Sequence, residues 1–189
     1  MTRKYLFVKV YDKIQKVKII EKTETRRLIL VPITLMYAPS IFEEFTEEIV
    51  KYMSPSSPKQ ISETKSWINK VVAENQTGKS YVMVILKKET NEFIGGCGIH
   101  NIDTKTPEFG IWTKESSHGN KYGRETIHAL KKWADDNLDY DYIKYPVAVK
   151  NIASRKIPES LGGVIDHKYF DHNGSGVSQL LAEYRIYPN

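Results

Sequence analysis

The chain has 189 residues, of which 40% are hydrophobic and 27% charged, with a formal net charge of +5. That size and balance predict one soluble globular domain with at most a small appendage, and no apolar run approaches the roughly 20 residues a membrane-crossing helix needs. The single cysteine, Cys97, excludes an internal disulfide framework; no His/Cys group has metal-ligand spacing, and the scattered Lys and Arg residues carry no RRM, KH, zinc-finger or helix-turn-helix signature, so no metal, membrane or nucleic-acid partner is expected.

The N-terminal Met1-Thr2-Arg3-Lys4-Tyr5 lacks the apolar core and cleavage site of a signal peptide, and Cys97 sits among apolar residues and glycines, as an inert buried thiol would. A reducing, cytoplasmic location is expected. Residues 5–11 and 15–20 alternate apolar and polar side chains around Asp12-Lys13, which predicts a β-hairpin. Residues 1–22 are therefore expected to form an appendage ahead of a main domain of residues 23–189. A short strand follows, and Pro32 stops it. Pro39-Ser40 opens a helix with Ile41, Phe42, Phe45, Ile49 and Met53 at helical spacing and Glu43, Glu44, Glu47 and Glu48 on its wet side. Ser54-Pro55-Ser56-Ser57-Pro58 breaks that helix. Ser62 is expected to cap a second helix, with Thr64, Trp67, Ile68, Val71 and Val72 on one face and Asn75-Gln76-Thr77-Gly78 at its end.

Tyr81 to Leu86, Phe93 to Ile102 and Glu108 to Thr113 read as three strands joined by short polar turns, which makes an antiparallel meander. Gly95, Gly96 and Gly98 in the middle strand predict a bulge or a close neighbouring backbone. After Thr113 comes Ser116 to Glu125, a Gly-bearing turn that runs into a helix with Ile127, Leu130, Ala134 and Leu138 on one face. A strand, a Gly turn and then a helix is a phosphate-holding arrangement, because the first N–H groups of the helix have no intrahelical partner and the dipole's positive end faces the turn. Lys121 and Arg124 add charge. On spacing alone, an ordinary turn with two glycines stays equally open. A strand from Ile143 to Val149, a short helix from Asn151 to Leu161, a Gly162-Gly163 turn and two strands, Val164 to Phe170 and Gln179 to Tyr187, complete the chain.

This order of elements resembles the GNAT superfamily of acyl-CoA-dependent N-acetyltransferases. More narrowly, it resembles the branch of the ribosomal-protein alanine N-acetyltransferases and related small-amine acetyltransferases. Three places carry the resemblance: Thr25-Arg26-Arg27-Leu28-Ile29-Leu30; Phe93 to Ile99 with Glu108 to Trp112; and His118 to Glu125 followed by Asn151 to Gly162. The resemblance implies an α+β GNAT fold, with a central mixed, mostly antiparallel twisted sheet of about six or seven strands flanked by about four helices. The family's pyrophosphate loop, Gln/Arg-x-x-Gly-x-Gly/Ala, falls here on His118-Gly119-Asn120-Lys121-Tyr122-Gly123. Gly123 keeps the pattern, whereas His118 and Lys121 depart from it.

The activity so implied is transfer of acetyl from acetyl-CoA to a primary amine, with no metal. The acceptor would be a protein N-terminus, an amino acid or a small amine, and the protein a monomer or homodimer. By the resemblance, His118 to Arg124 hold the pyrophosphate. Backbone groups of Ile111, Trp112 and Thr113 meet the pantetheine arm between two splayed strands and meet the oxyanion. Asn151 contacts the arm, and Ser154, one helical turn on, shares its face. Many relatives carry a tyrosine acid where this chain has Pro158, which leaves Ser154 as the hydroxyl nearest the sulfur. Glu108 is the candidate base. Tyr52, Met53 and the loop to Pro58 are the expected acceptor-side lid. His100, at a strand end, reads as a surface or partly satisfied histidine. A non-catalytic acyl-CoA-binding or regulatory module on the same fold stays open beside the enzyme, because of His118, Lys121 and the absent tyrosine.

Overall fold

A computed structural model describes residues 22–189. The hairpin expected over residues 1–22 lies outside them but for its last residue. Among the described residues, eight strands form one sheet: β1 (Thr23–Glu24), β2 (Leu28–Pro32), β3 (Ser80–Lys87), β4 (Phe93–His100), β5 (Glu108–Thr113), β6 (Ile143–Ala148), β7 (Val164–His172) and β8 (Ser178–Ile186), in the order β1-β2-β3-β4-β5-β6-β8-β7. Every neighbouring pair is antiparallel except β5–β6. The helices are α1 (Ala38–Glu44), α2 (Glu47–Val50), α3 (Ile61–Thr77), α4 (Tyr122–Asn137) and α5 (Ile152–Glu159).

The sheet is covered on both sides, and β3 is buried along nearly its whole length for that reason. Side chains alternate across a strand. Tyr81, Met83 and Ile85 join one core with Ile127, Leu130 and Ala134 of α4. Val82, Val84 and Leu86 join a second with Ile41 of α1 and Ile68 and Val71 of α3. Cys97 is buried in the first core, and burial pushes its thiol pKa far up. That is the inert thiol the sequence predicts.

The glycines of β4 act by close approach. A Cβ on Gly95 would stand 2.2 Å from the Trp112 carbonyl oxygen, and one on Gly96 would stand 2.7 Å from the Trp112 indole nitrogen. The β3–β4 register shifts beside them, between Ile85 and Leu86. Two local expectations change. The helix expected from Pro39 to Met53 is two helices, because Phe45 leaves helical geometry and Thr46 caps a new start by accepting from the Ile49 N–H. Phe45 turns to set its ring edge-on to Trp112, with centroids 4.9 Å apart. Ser62 is not the cap of α3. Gln60 holds that position with no side-chain cap bond, while the Glu63 carboxylate accepts from the Lys59 N–H at 3.0 Å.

Candidate active site

The turn from Thr113 into α4 is held open by its own side chains. Asn120 donates to the carbonyls of Ser117 and His118, at 3.2 and 3.3 Å. The His118 ring donates to the Thr113 carbonyl at 2.9 Å. Gly119 and Lys121 both have positive φ, +81° and +62°. Lys121 is thus a lysine in the left-handed conformation that glycine adopts without strain. It is also the N-cap of α4 and offers no side-chain acceptor, so the first-turn N–H groups stay free for a ligand. A Cβ on Gly123 would lie 3.2 Å from the Ile157 side chain and 3.7 Å from that of Ile111, so this glycine lets α4 pack close to α5 and β5.

A bracket from the start of the sheet braces the turn. Glu125, in the first turn of α4, accepts from the Thr25 hydroxyl at 2.6 Å, the Arg27 N–H at 2.8 Å and the Arg27 Nε at 2.7 Å. Burial raises the Glu125 pKa, but these hydrogen bonds and the Arg27 charge outweigh it and hold the carboxyl below its ordinary range. Arg27 also donates to the Asn120 carbonyl at 3.0 Å and lies over the Tyr122 ring.

Strands β5 and β6 meet only at their bases, where Glu108 pairs with Lys144 and the Lys144 N–H donates to the Pro107 carbonyl. Beyond that they part, and the sequence supplies a cause. On β6, bonds to β8 and to β5 alternate. The Val149 N–H bonds Leu180 on the β8 side, so Lys144 and Pro146 turn their backbone toward β5. Pro146 has no N–H, and the parallel ladder cannot continue through it. On β5, the Lys114 N–H bonds Ile94. By the same alternation Trp112 pairs with Gly96, whereas Ile111 and Thr113 point their backbone groups into the gap. Of the three residues expected to serve the arm, Trp112 therefore has its backbone committed to β4, and the Thr113 carbonyl is taken by His118.

At the far wall of the gap, Asn151 caps α5 by accepting from the Ser154 N–H at 3.1 Å. The Ser154 hydroxyl is 2.9 Å from that of Tyr145 on β6. Tyr145 is buried, which pushes its pKa up to about 12 despite the bond to Ser154. A tyrosine hydroxyl thus reaches this wall from the strand rather than from the position of Pro158.

The other face of the sheet, under α1 and α3, holds a cavity of about 450 Å³. Its floor is Gly96, Gly98, Gly110 and His100, and Ile111 joins it to the gap. The His100 ring lies close against two glycines, with Nε2 3.1 Å from where a Cβ on Gly98 would stand and 3.3 Å from one on Gly110. Burial lowers the His100 pKa, with Glu74 partly opposing. Glu108 lies directly across the β4–β5 ladder from His100 and so shares its face. Burial raises the Glu108 pKa, Lys144 lowers it and Glu183 raises it further, and the net shift is upward.

The roof of the cavity joins two distant segments. At the β7–β8 turn, the Gly174 N–H donates to the Met53 carbonyl at 3.0 Å. Ser56 donates to the Gly174 carbonyl at 2.6 Å, and Asn173 to the Lys51 carbonyl at 2.9 Å. A Cβ on Gly174 would fall 2.3 Å from the Pro55 carbonyl carbon, so no other residue fits this clasp unchanged.

The sequence matches the acetyltransferase (GNAT) domain family over residues 27–164. The chain belongs to the GNAT acetyltransferase family. It is 26% identical over 144 residues, 75% of this chain and 81% of the other, to an uncharacterized N-acetyltransferase, p20, from Bacillus licheniformis. Its fold is similar to that of RimL, a ribosomal alpha-N-protein acetyltransferase solved with coenzyme A, at TM-score 0.78 and 16% identity over 87% of this chain and 96% of that one. It is also similar to the microcin C7 self immunity acetyltransferase MccE solved with acetyl-CoA and AMP, at TM-score 0.77 and 19% identity over 86% and 93%. A third similar fold is a Salmonella typhimurium acetyltransferase that modifies the N-terminal serine of a 50S ribosomal subunit protein, at TM-score 0.74 and 15% identity over 87% and 97%.

Within this GNAT domain the turn is packed against two of the elements that carry the other expected cofactor residues: Gly123 meets Ile111 of β5 and Ile157 of α5, and Arg124 donates to the Lys156 carbonyl of α5. Glu108 lies at the base of the same gap. Three contributors escaped sequence reading: His100, read as a surface or partly satisfied histidine and found lining the cavity; Tyr145, which partners Ser154; and Gly174, which fixes the Met53–Pro58 loop. Only Pro146 inside a strand pattern was a signal within the sequence, marking where the ladder must end.

Proposed function

We propose that the protein is an acetyl-CoA-dependent N-acetyltransferase acting on a primary amine by direct attack in a ternary complex. The observation that carries this reading is the gap between β5 and β6, which connects the open helix end of α4 to the cavity under α1 and α3. The free N–H groups at the start of α4, with Lys121 and Arg124, suit a pyrophosphate. The backbone groups of Ile111 and the Thr113 N–H suit the amides of a pantetheine arm. The thioester carbonyl then lies near Ile111, whose N–H is the candidate oxyanion donor.

Glu108 accepts a proton from the amine, directly or through one water. Its raised pKa suits a base working near neutrality. The amine nitrogen forms a bond to the acetyl carbon, the carbon–sulfur bond breaks with its electron pair on sulfur, and the Ser154–Tyr145 hydroxyl pair stabilises that sulfur and relays to it the second proton, which the nitrogen sheds as the amide forms. The test is thiol release from acetyl-CoA with a panel of primary amines. Turnover with at least one amine is expected. Tight acetyl-CoA binding with no amine supporting turnover would leave a cofactor-binding module instead.

A further inference from the structure

The cavity under α1 and α3 has chemistry of its own, and it narrows the acceptor. Its walls are apolar: Ile33, Ile41, Phe45, Met53, Trp67 and Trp112. Most polar groups around it are already engaged; the buried Thr64 hydroxyl, which has no partner among the described residues, is the exception. Ser56 bonds the Gly174 carbonyl and Ser57 bonds Glu47, so both hydroxyls belong to the roof. Glu63, exposed at the mouth, accepts from the Lys59 N–H. On the floor stands His100, whose imidazole is biased to the neutral form by its burial. Among the described residues lining the interior, none offers a fixed charge.

A second ammonium inside these walls would lose its water and gain no charged partner, only the neutral Thr64 hydroxyl and the His100 ring. An apolar body would lose nothing and bury its surface. The volume is that of a small-molecule site, and the Gly174–Pro55 clasp fixes the Met53–Pro58 loop that lines one side of it. We infer that the acceptor is a small primary monoamine carried on an apolar body, enclosed whole in this cavity with its amine toward Glu108 and Ile111. This rests on the acetyl-transfer reading above. It departs from it by excluding polyamines and the termini of folded proteins.

The experiment compares kcat/KM, read by thiol release from acetyl-CoA, for phenethylamine, hexylamine, spermidine and a hexapeptide with a free N-terminus. The apolar monoamines should lead by tenfold or more, roughly the discrimination a charge-free pocket exerts against a polar competitor. Two variants on exposed or partly buried lining positions move the preference in stated directions. Met53→Glu places a carboxylate in the wall and should raise spermidine over phenethylamine by about tenfold. Trp67→Ala widens the wall and should raise a naphthylalkylamine over phenethylamine by a similar factor, about tenfold. A wild-type preference for spermidine or the peptide, or unmoved ratios in both variants, overturns the inference. If no amine releases thiol, the acetyl-transfer reading itself fails. Calorimetry of phenethylamine with the coenzyme A-loaded protein then decides the cavity separately: saturable one-to-one binding that Met53→Glu weakens upholds an apolar amine site, and no binding overturns it.

Discussion

The two faces of this sheet are built from different materials. On the α4 face, the residues proposed to meet a cofactor act mainly through the backbone: free N–H groups at a helix start, strand edges opened by a proline, and glycines that permit close approach. They lie mostly in one stretch, Thr113 to Arg124, with a second short stretch at Asn151 to Ser154. On the face under α1 and α3, the site is lined by residues of α1, α3, β3, β4, β5 and the Met53–Pro58 loop, and the β7–β8 turn holds that loop in place. On the proposed reading, the first construction is tied to one chemical guest. The second is a volume whose walls can change without touching the first. That separation lets one scaffold keep its donor while its acceptor varies.

The largest test of the comparison is Glu108→Gln, at the seam of the two faces. If Glu108 takes the amine proton, kcat/KM should fall about 10²- to 10³-fold. In the wild type, activity should rise with pH through a carboxyl range shifted upward by burial, since the base works deprotonated. That limb should vanish in the variant. Stability should move the other way. A carboxyl whose folded pKa lies above its unfolded value opposes folding once pH passes the unfolded pKa, so Tm at pH 7 should not fall. Loss of activity with unchanged pH dependence would assign Glu108 a structural role.

Glu125→Gln acts on the cofactor face alone. It weakens the charge-assisted bonds from Thr25 and Arg27 and should cost about 2 kcal/mol of stability, read as a lower denaturant midpoint. Acetyl-CoA affinity should fall with it, because Arg27 also holds the Asn120 carbonyl. The Glu125 carboxyl is depressed in the fold, so its contribution is present above the unfolded carboxyl pKa and is lost as pH falls through the folded one. The gap between wild type and variant should close in acid.

The same division explains what could be read from the sequence. The element order, the meander of β3 to β5, the close approach at the β4 glycines and the Gly turn into α4 all follow from short-range patterns: alternation, helical spacing and Gly punctuation. His100, Tyr145 and Gly174 do not. His100 looks like any strand-end histidine until Gly98 and Gly110 are known to lie beside its ring. Gly174 looks like a turn glycine until Pro55, more than a hundred residues away, is found against it. The break at Phe45 was hidden because helical spacing of apolar residues continues through it. A contact with Trp112 from a distant strand decided that conformation, and local propensity yields to such packing.

Pro146→Ala asks whether the gap is caused by the missing N–H. The restored donor faces β5 and can bond the Phe109 carbonyl. Hydrogen exchange should show the new amide at position 146 protected, and acetyl-CoA affinity should fall about fivefold, the worth of one ~1 kcal/mol hydrogen bond that the arm must displace. A freely exchanging amide with unchanged affinity would mean that the splay is set by the packing of α4 and α5.

The smallest effect separates two roles of one residue. Lys121 holds positive φ at the position where the family pattern has glycine, a conformation that costs a lysine roughly 1 kcal/mol. Lys121→Gly removes that strain, and the greater freedom of glycine in the unfolded chain takes back part of the gain. A net stabilisation of about 0.5 kcal/mol is expected, seen as a small rise in Tm. The ammonium is lost at the same time. If it pairs a phosphate across the open helix end, acetyl-CoA affinity should fall a few-fold and the salt dependence of binding should flatten. Opposite signs for stability and affinity would show a strained lysine kept for its charge. Gains in both would show that the charge contributes nothing and that the turn binds through its backbone alone.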